Sequence, residues 1–263
     1  MVEGTVEWVR GHAAGSTRRP GKLAKDTAMG ADPGIGRRLG VVLRWPVGMA
    51  FTSWRYLWRI TPLHRIDEEG SSGDADEPAV AREVAESLQG TSSGYGPLFH
   101  RRYRIVVGQP RLSAEQLMSK LASHPDLPAP SEVAVFWKTR GDEGELRVGD
   151  EFLVRMPGPW DGPIRVVDRT STSFRLATMT GHLEAGQIEF RAHDGDDALS
   201  FEIESWTRGG DRLSALLYSK VRLVKEMQLH MWAHYCERIP KIAGGRARGG
   251  LHIQTRRLKD PHG

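Results

Sequence analysis

Period-two alternation of apolar and polar side chains starts near residue 99 and returns six times further along. Phe99, Tyr103, Ile105 and Val107, with Arg101 in phase among them, alternate with His100, Arg102, Arg104 and Val106. Val133, Val135 and Trp137 then alternate with Ala134, Phe136 and Lys138, and Phe152, Val154 and Met156 alternate with Leu153 and Arg155. A short apolar run at 164–167 follows, and then the phased sets Phe174/Leu176/Thr178, Ile188/Phe190 and Leu199/Phe201/Ile203. Such alternation puts one strand face in a core and the other in water, which is the mark of an antiparallel sheet. The stretches between, GDEGE, PGPWDGP, DRTSTS, TGHLEAG and HDGDD, are rich in turn formers.

Two segments change to helical spacing. Ser113 can cap a helix that has Glu115 in its first turn and Leu117, Met118 and Leu121 on one face. Leu213, Leu217, Val221, Val224, Met231 and Tyr235 share a face of a long helix over 211–239, which Gly244-Gly245 can end. The order strand, helix, six strands, long helix predicts an α+β domain over 94–245. A curved antiparallel sheet of about seven strands around one long C-terminal helix satisfies that order with short, uncrossed connections. A cavity between sheet and helix is then the default ligand site.

The flanks read differently. Residues 1–36 lack a sustained apolar period and are expected as a disordered basic extension, with no apolar stretch of a secretory signal. Residues 37–66 are expected as a Trp-rich amphipathic leader, in which Trp45, Phe51, Trp54 and Trp58 form a face for docking on the domain or on a membrane surface. Arg44, Arg55 and Arg59 interrupt it, so no clean apolar span of the ~20 residues needed to cross a bilayer is present. Residues 67–93 read as an acidic linker and hinge, and 246–263 as a basic tail.

Charge follows that division. The formal net charge is +4. Residues 97–240 carry 19 Lys/Arg against 20 Asp/Glu, whereas 241–263 carry 6 against 1. A nucleic-acid-binding domain concentrates basic charge on its folded face, because phosphate neutralisation supplies most of its affinity, so nucleic acid is not the expected partner. The single cysteine, Cys236, excludes an internal disulfide and any multi-cysteine metal site. A cytoplasmic chain, peripheral to a membrane if the leader docks there, is expected.

The segments PLFHRRY (97–103), VGDEFLVRMPGPWDGPIRV (148–166), SFRLATMTGHLEAGQIEFRA (173–192), IESWTRGGDRLSALLY (203–218) and QLHMWAHYCER (228–238) resemble the uncharacterised family called domain of unknown function nineteen-ninety. RWPVGMAFTSWRYLWRITPLHR (44–65) looks like the leader of its actinobacterial-type members. The resemblance implies a helix-grip fold similar to START, Bet v 1 and polyketide-cyclase-like proteins, whose members bind lipids, hormones and polyketides or act as cyclases. It carries over no catalytic residue.

Candidate chemistry gathers at a few places. His182 and Glu184 are two apart, so on an extended strand they point the same way and could act as acid and base. The plainer reading is a glycine-turned hairpin with both side chains in water. Two ligands are too few for zinc, and neither a metal nor a cofactor is expected. His100, Arg102 and Arg104 share a strand face that suits a carboxylate or phosphate head group, or else pairs with Glu202 and Glu204. Trp137, Trp206, Met227, Met231 and Trp232 are the apolar candidates for a cavity wall, and Trp160 for a loop at its mouth. The expected function is binding of a hydrophobic small molecule or lipid. A cyclase, dehydratase or hydrolase in the same cavity, or a membrane-surface adaptor, is the alternative.

Overall fold

A computed structural model of the chain describes residues 63–129, 135–155, 161–211 and 222–259. The expectations for the extension, the leader face Trp45/Phe51/Trp54/Trp58, the Trp160 loop and the first turns of the long helix lie outside the described residues, as does the side chain of Met227.

The predicted α+β class stands, with nine strands in one sheet among the described residues where about seven were expected. In chain order they are β1 (Leu63–Glu69), β2 (Tyr95–Gly108), β3 (Val135–Arg140), β4 (Glu151–Arg155), β5 (Asp161–Arg169), β6 (Ser173–Thr178), β7 (Glu184–Asp194), β8 (Ala198–Gly209) and β9 (Arg246–Leu258). Their spatial order is β1-β9-β2-β8-β7-β6-β5-β4-β3. All neighbours are antiparallel except β1 and β9, which run parallel.

The two additional strands correct the reading of the flanks. Residues 246–258, expected as a tail, pair along most of β2, with Tyr103 between Ile203 of β8 and Ile253 of β9. Leu251 and Ile253 are buried, which supplies the apolar gain that a basic tail lacks. The chain around Leu63, expected in the leader, is the edge strand β1, in register with β9. The long helix is therefore followed by a strand and is not C-terminal.

Alternation sorts the sheet into two faces. On the inner face Tyr103, Ile105, Val166, Phe174, Phe190, Phe201, Ile203 and Ile253 are buried beneath two helices. Helix α1 (Ala114–Ser123) carries a capping box at the predicted cap: the Ser113 hydroxyl accepts from Gln116 N–H at 3.2 Å, and the Gln116 side chain accepts from Ser113 N–H at 3.0 Å. Leu117, Met118 and Leu121 are fully buried by it. Ser113→Ala leaves the N–H of Gln116 unpaired and should cost about 1 kcal/mol, read as a shift of the urea midpoint at unchanged slope.

Helix α2 (Arg222–Ala243) lays Leu229, Trp232, Tyr235, Cys236 and Ile239 on the same core. Phe190 sits at its centre, 4.8 Å from Phe174, 5.4 Å from Trp232 and 5.4 Å from Tyr235 between ring centroids. Gly244, at φ +74°, turns the chain out of the helix as its sequence position predicts.

The outer face is covered where a hinge was expected. Residues 70–94 run across it through three short 3-10 turns. Arg165 donates to the carbonyls of Val84 and Glu86, Arg175 to that of Ala79, and Gln187 to that of Pro78. Buried polar groups of the sheet thus find their partners in this strap, and its Asp74 pairs with His100 and Arg256 of the sheet.

Candidate functional site

The hairpin between β6 and β7 brings His182 and Glu184 to the inner face at the end of β7. Gln89 of the strap fixes that turn, donating from Nε2 to the carbonyls of His182 and Glu184 at 3.1 Å each and accepting from Gly181 N–H at 3.3 Å. The backbone N–H of Glu184 donates to His182 Nδ1 at 2.9 Å, which fixes Nδ1 as an acceptor and puts the ring proton on Nε2.

Neither side chain is in water, so the plain hairpin reading fails. Both are buried, and both border a cavity of about 100 Å³ between the sheet and α2. Its walls are Phe136, Val154, Ile164, Leu176, Ile188, Met231 and Trp232, with Thr178, Thr207 and Gln228 adding polar atoms. Glu184 Oε2 accepts from Gln228 Nε2 at 2.7 Å, and Gln228 Oε1 accepts from Arg101 Nη1 at 2.5 Å. An amide thus bridges a buried carboxyl and a buried guanidinium.

Burial moves the two titratable groups in opposite directions, because it penalises whichever form is charged. The Glu184 carboxyl is pushed up to about 7 by desolvation, against the pull of the Arg101 charge and the Gln228 bond. Desolvation also pushes the His182 imidazole down to about 4. At neutral pH the cavity therefore holds a neutral imidazole beside a carboxyl poised between its two forms. Such a pair can accept, donate or relay a proton. Among the described residues no group of three or more His, Cys, Asp or Glu could hold a metal ion.

The other expected site residues divide between this cavity and the far side of the sheet. Met231 and Trp232 line the cavity. Trp137 is 59% exposed, because it is one residue out of phase with Phe136, which faces inward. His100, Arg102 and Trp206 lie on the outer face, where His100 stacks on Trp206 at 5.2 Å. They form no head-group site toward the cavity. His100 Nδ1 meets Asp74 Oδ1 at 3.2 Å and its Nε2 meets Glu204 Oε1 at 2.7 Å. Glu204 also accepts from Arg102 and Arg191, both at 2.6 Å. Burial alone would raise the Glu204 carboxyl, but these bonds hold it down at about 2. The Ser71 N–H, together with Arg256, keeps Asp74 well below the usual carboxylate range. This face is a structural ion network that ties the strap to β2, β7, β8 and β9.

Sequence reasoning missed Gln89, Thr207, Gln228 and Arg101. Only Arg101 left a signal: it is the one charged residue in phase with Phe99, Tyr103, Ile105 and Val107.

The chain has only distant likenesses among solved structures. Norcoclaurine synthase from Thalictrum flavum, solved as a point mutant with a transition-state analogue, is 11% identical at a TM-score of 0.40, over 56% of this chain and 97% of that one. A START superfamily protein from Mycobacterium smegmatis is 15% identical at a TM-score of 0.38, over 54% and 99%. A hypothetical protein from Helicobacter pylori is 10% identical at a TM-score of 0.40, over 55% and 86%. No curated protein matches the chain. Residues 81–238, more than half of the chain and including the strap's Gln89, the Glu184 turn and most of α2, match one family, and the chain belongs to the Domain of unknown function (DUF1990) family.

Proposed function

We propose that this protein binds a small, mostly apolar molecule between the inner face of its sheet and helix α2. The observation that carries this reading is the cavity itself: apolar walls from Phe136, Ile164, Leu176, Ile188, Met231 and Trp232, with a few convergent polar groups at one end. A cavity of about 100 Å³ suits a compact body. For scale, an engineered aliphatic cavity of about 150 Å³ holds benzene. A single ring or a short branched chain fits that scale better than a long acyl chain, so the small-molecule half of the expectation is favoured over the lipid half.

Native mass spectrometry of gently purified full-length protein tests this. A stoichiometric adduct, released on denaturation, is the expected result. Ile188→Phe, which adds a ring's volume to the wall, should remove the adduct while leaving the melting temperature within a few degrees. A protein that is clean of adduct and takes up no added apolar probe would sink the proposal.

One observation favours a second reading, catalysis in the same cavity. His182 and Glu184 are displaced in opposite directions, which is the arrangement that separates an acid from a base. If it holds, the compound found in the cavity is turned over by the wild type and survives unchanged with Glu184→Gln.

A further inference from the structure

Arg101 is a buried charge on the inner face of the sheet. Its side chain is fully buried, on the face of β2 that otherwise carries Phe99, Tyr103, Ile105 and Val107. Its guanidinium lies over the Phe99 ring, 4.9 Å from the centroid. Nη1 is bonded to Gln228, but Nε and Nη2 have no hydrogen-bond partner among the described residues. Removing a charged group from water without partners costs several kcal/mol, on the order of the total stability margin of a domain. A fold retains such a group against that cost when something else pairs with it.

The free atoms are informative by their geometry. Nε–H and Nη2–H are the parallel pair on one edge of the guanidinium plane. That edge receives both oxygens of a carboxylate at once. The surroundings are of the same kind. Arg101 pairs across the sheet with Ser205 on β8 and Thr255 on β9, so all three side chains share the inner face. Both hydroxyls are buried and, among the described residues, unpartnered, as is that of Tyr103, the next inner residue on β2. Three orphan hydroxyls thus share the inner face with an orphan guanidinium edge, a set of donors suited to an oxyanion.

The place adjoins the cavity, whose lining includes Thr207 and Gln228 and stops short of Arg101, Ser205 and Thr255. Ser205 pairs with Ile188 on β7, and Thr207 pairs with Gly186, so the cavity floor reaches β8, one strand short of Arg101. Gln228 stands between the two, bonded to Arg101 on one side and lining the cavity on the other. We propose that the cavity ligand is a carboxylic acid, with Arg101 as its counter-ion: both carboxylate oxygens on Nε–H and Nη2–H, the Ser205 and Thr255 hydroxyls beside them, and the apolar body in the cavity beyond Gln228. Glu184 does not supply that counter-charge. It reaches Arg101 only through the Gln228 amide, and burial leaves its carboxyl largely protonated below neutrality. The inference rests on the cavity being a binding site.

The test uses the full-length protein and probes matched in shape but not in charge: phenylacetate against 2-phenylethanol, and hexanoate against hexan-1-ol. Binding is followed by calorimetry at pH 7. Each acid is expected to bind about ten-fold or more tightly than its alcohol, as a charge-assisted bidentate pair requires. In Arg101→Met the acid should fall to the level of the alcohol while the alcohol changes little. The melting temperature of ligand-free Arg101→Met should hold or rise, since a buried and poorly paired charge has been replaced by an apolar chain. A residue kept only for structure would lower it. Equal binding of acid and alcohol by the wild type overturns the acid subsite and leaves the cavity reading intact. So does a preference for acid that survives in folded Arg101→Met. If neither acids nor alcohols bind, both readings fall. The wild-type comparison decides the matter even if the variant does not fold.

Discussion

Glu184→Gln should stabilise the protein at pH 8 by about 2 to 3 kcal/mol and turn a flat acid-side stability profile into a sloping one. The Glu184 carboxyl titrates at about 7 in the folded chain, against 4.5 for an unperturbed glutamate. Below pH 4.5 it is protonated in both states and contributes nothing. Between 4.5 and 7 the unfolded chain ionises while the folded one holds its proton, so stability falls as pH rises, by on the order of 3 kcal/mol in all. Glutamine removes that loss and still accepts from Gln228. Its added N–H₂ needs a partner in a largely apolar place, which trims the gain.

His182 acts with the opposite sign. Its imidazole is lowered to about 4 from 6.5. As pH falls from 6.5 toward 4 the unfolded chain gains a proton that the folded chain refuses, so stability is lost in that direction. In the wild type the two slopes cancel between about pH 4.5 and 6.5. In Glu184→Gln only the histidine slope remains, and stability should drop steadily on acidification from 6.5. The carboxylates held low, Glu204 and Asp74, weaken both proteins further below pH 4.5 and do not disturb the comparison. Urea titrations at pH 5, 6, 7 and 8 measure it. A variant less stable than wild type at pH 8 would mean that the Glu184 carboxylate is favourably paired with Arg101 and is not raised by burial.

Gly186→Ala should be strongly damaging, costing on the order of 4 kcal/mol or preventing folding. Gly186 has φ +145°, a region that side chains rarely enter. A Cβ there would lie 1.9 Å from the Trp206 carbonyl oxygen and 2.9 Å from its carbon. Both are backbone atoms, so no rotamer change relieves the overlap, and β7 would have to separate from β8 where Gly186 pairs with Thr207. The same glycine donates its N–H to the Gln89 carbonyl at 2.8 Å and to the Thr178 hydroxyl at 3.0 Å. Moving it also loosens the Gln89 clamp on His182 and Glu184. Gly73→Ala is the control: its Cβ meets nothing within 4 Å, and its effect should stay within about 0.5 kcal/mol. Soluble Gly186→Ala protein with a near-native denaturation midpoint would contradict this account of the cavity floor.

What the sequence determined by itself was local and periodic. Alternation at Phe99/Tyr103/Ile105, Phe174/Leu176 and Leu199/Phe201/Ile203 assigned strands and their buried phase, because a side chain's face depends only on its parity along the strand. Ser113 and Gly244 marked helix ends because capping and positive φ act within a few residues. The same parity argument, read more strictly, would have put His100 and Arg102 on the side away from the cavity. In β3 it misleads, because Trp137 is in phase with Val133 and Val135 and yet faces outward. Arg101, in phase with an apolar face, was already anomalous in the sequence.

Tertiary structure decided everything that depends on distant partners. β9 reads as a basic tail until β2 supplies its hydrogen bonds and core, and residues 70–94 read as an acidic hinge until Asp74 meets His100 and Arg256. The site itself joins Gln89, Arg101, Glu184 and Gln228, spread over more than a hundred residues. Neither the burial that drives Glu184 and His182 apart nor the orphaned edge of Arg101 has a local signature. Desolvation is a property of all the atoms that surround a group, and those are assembled only when the sheet closes against α2.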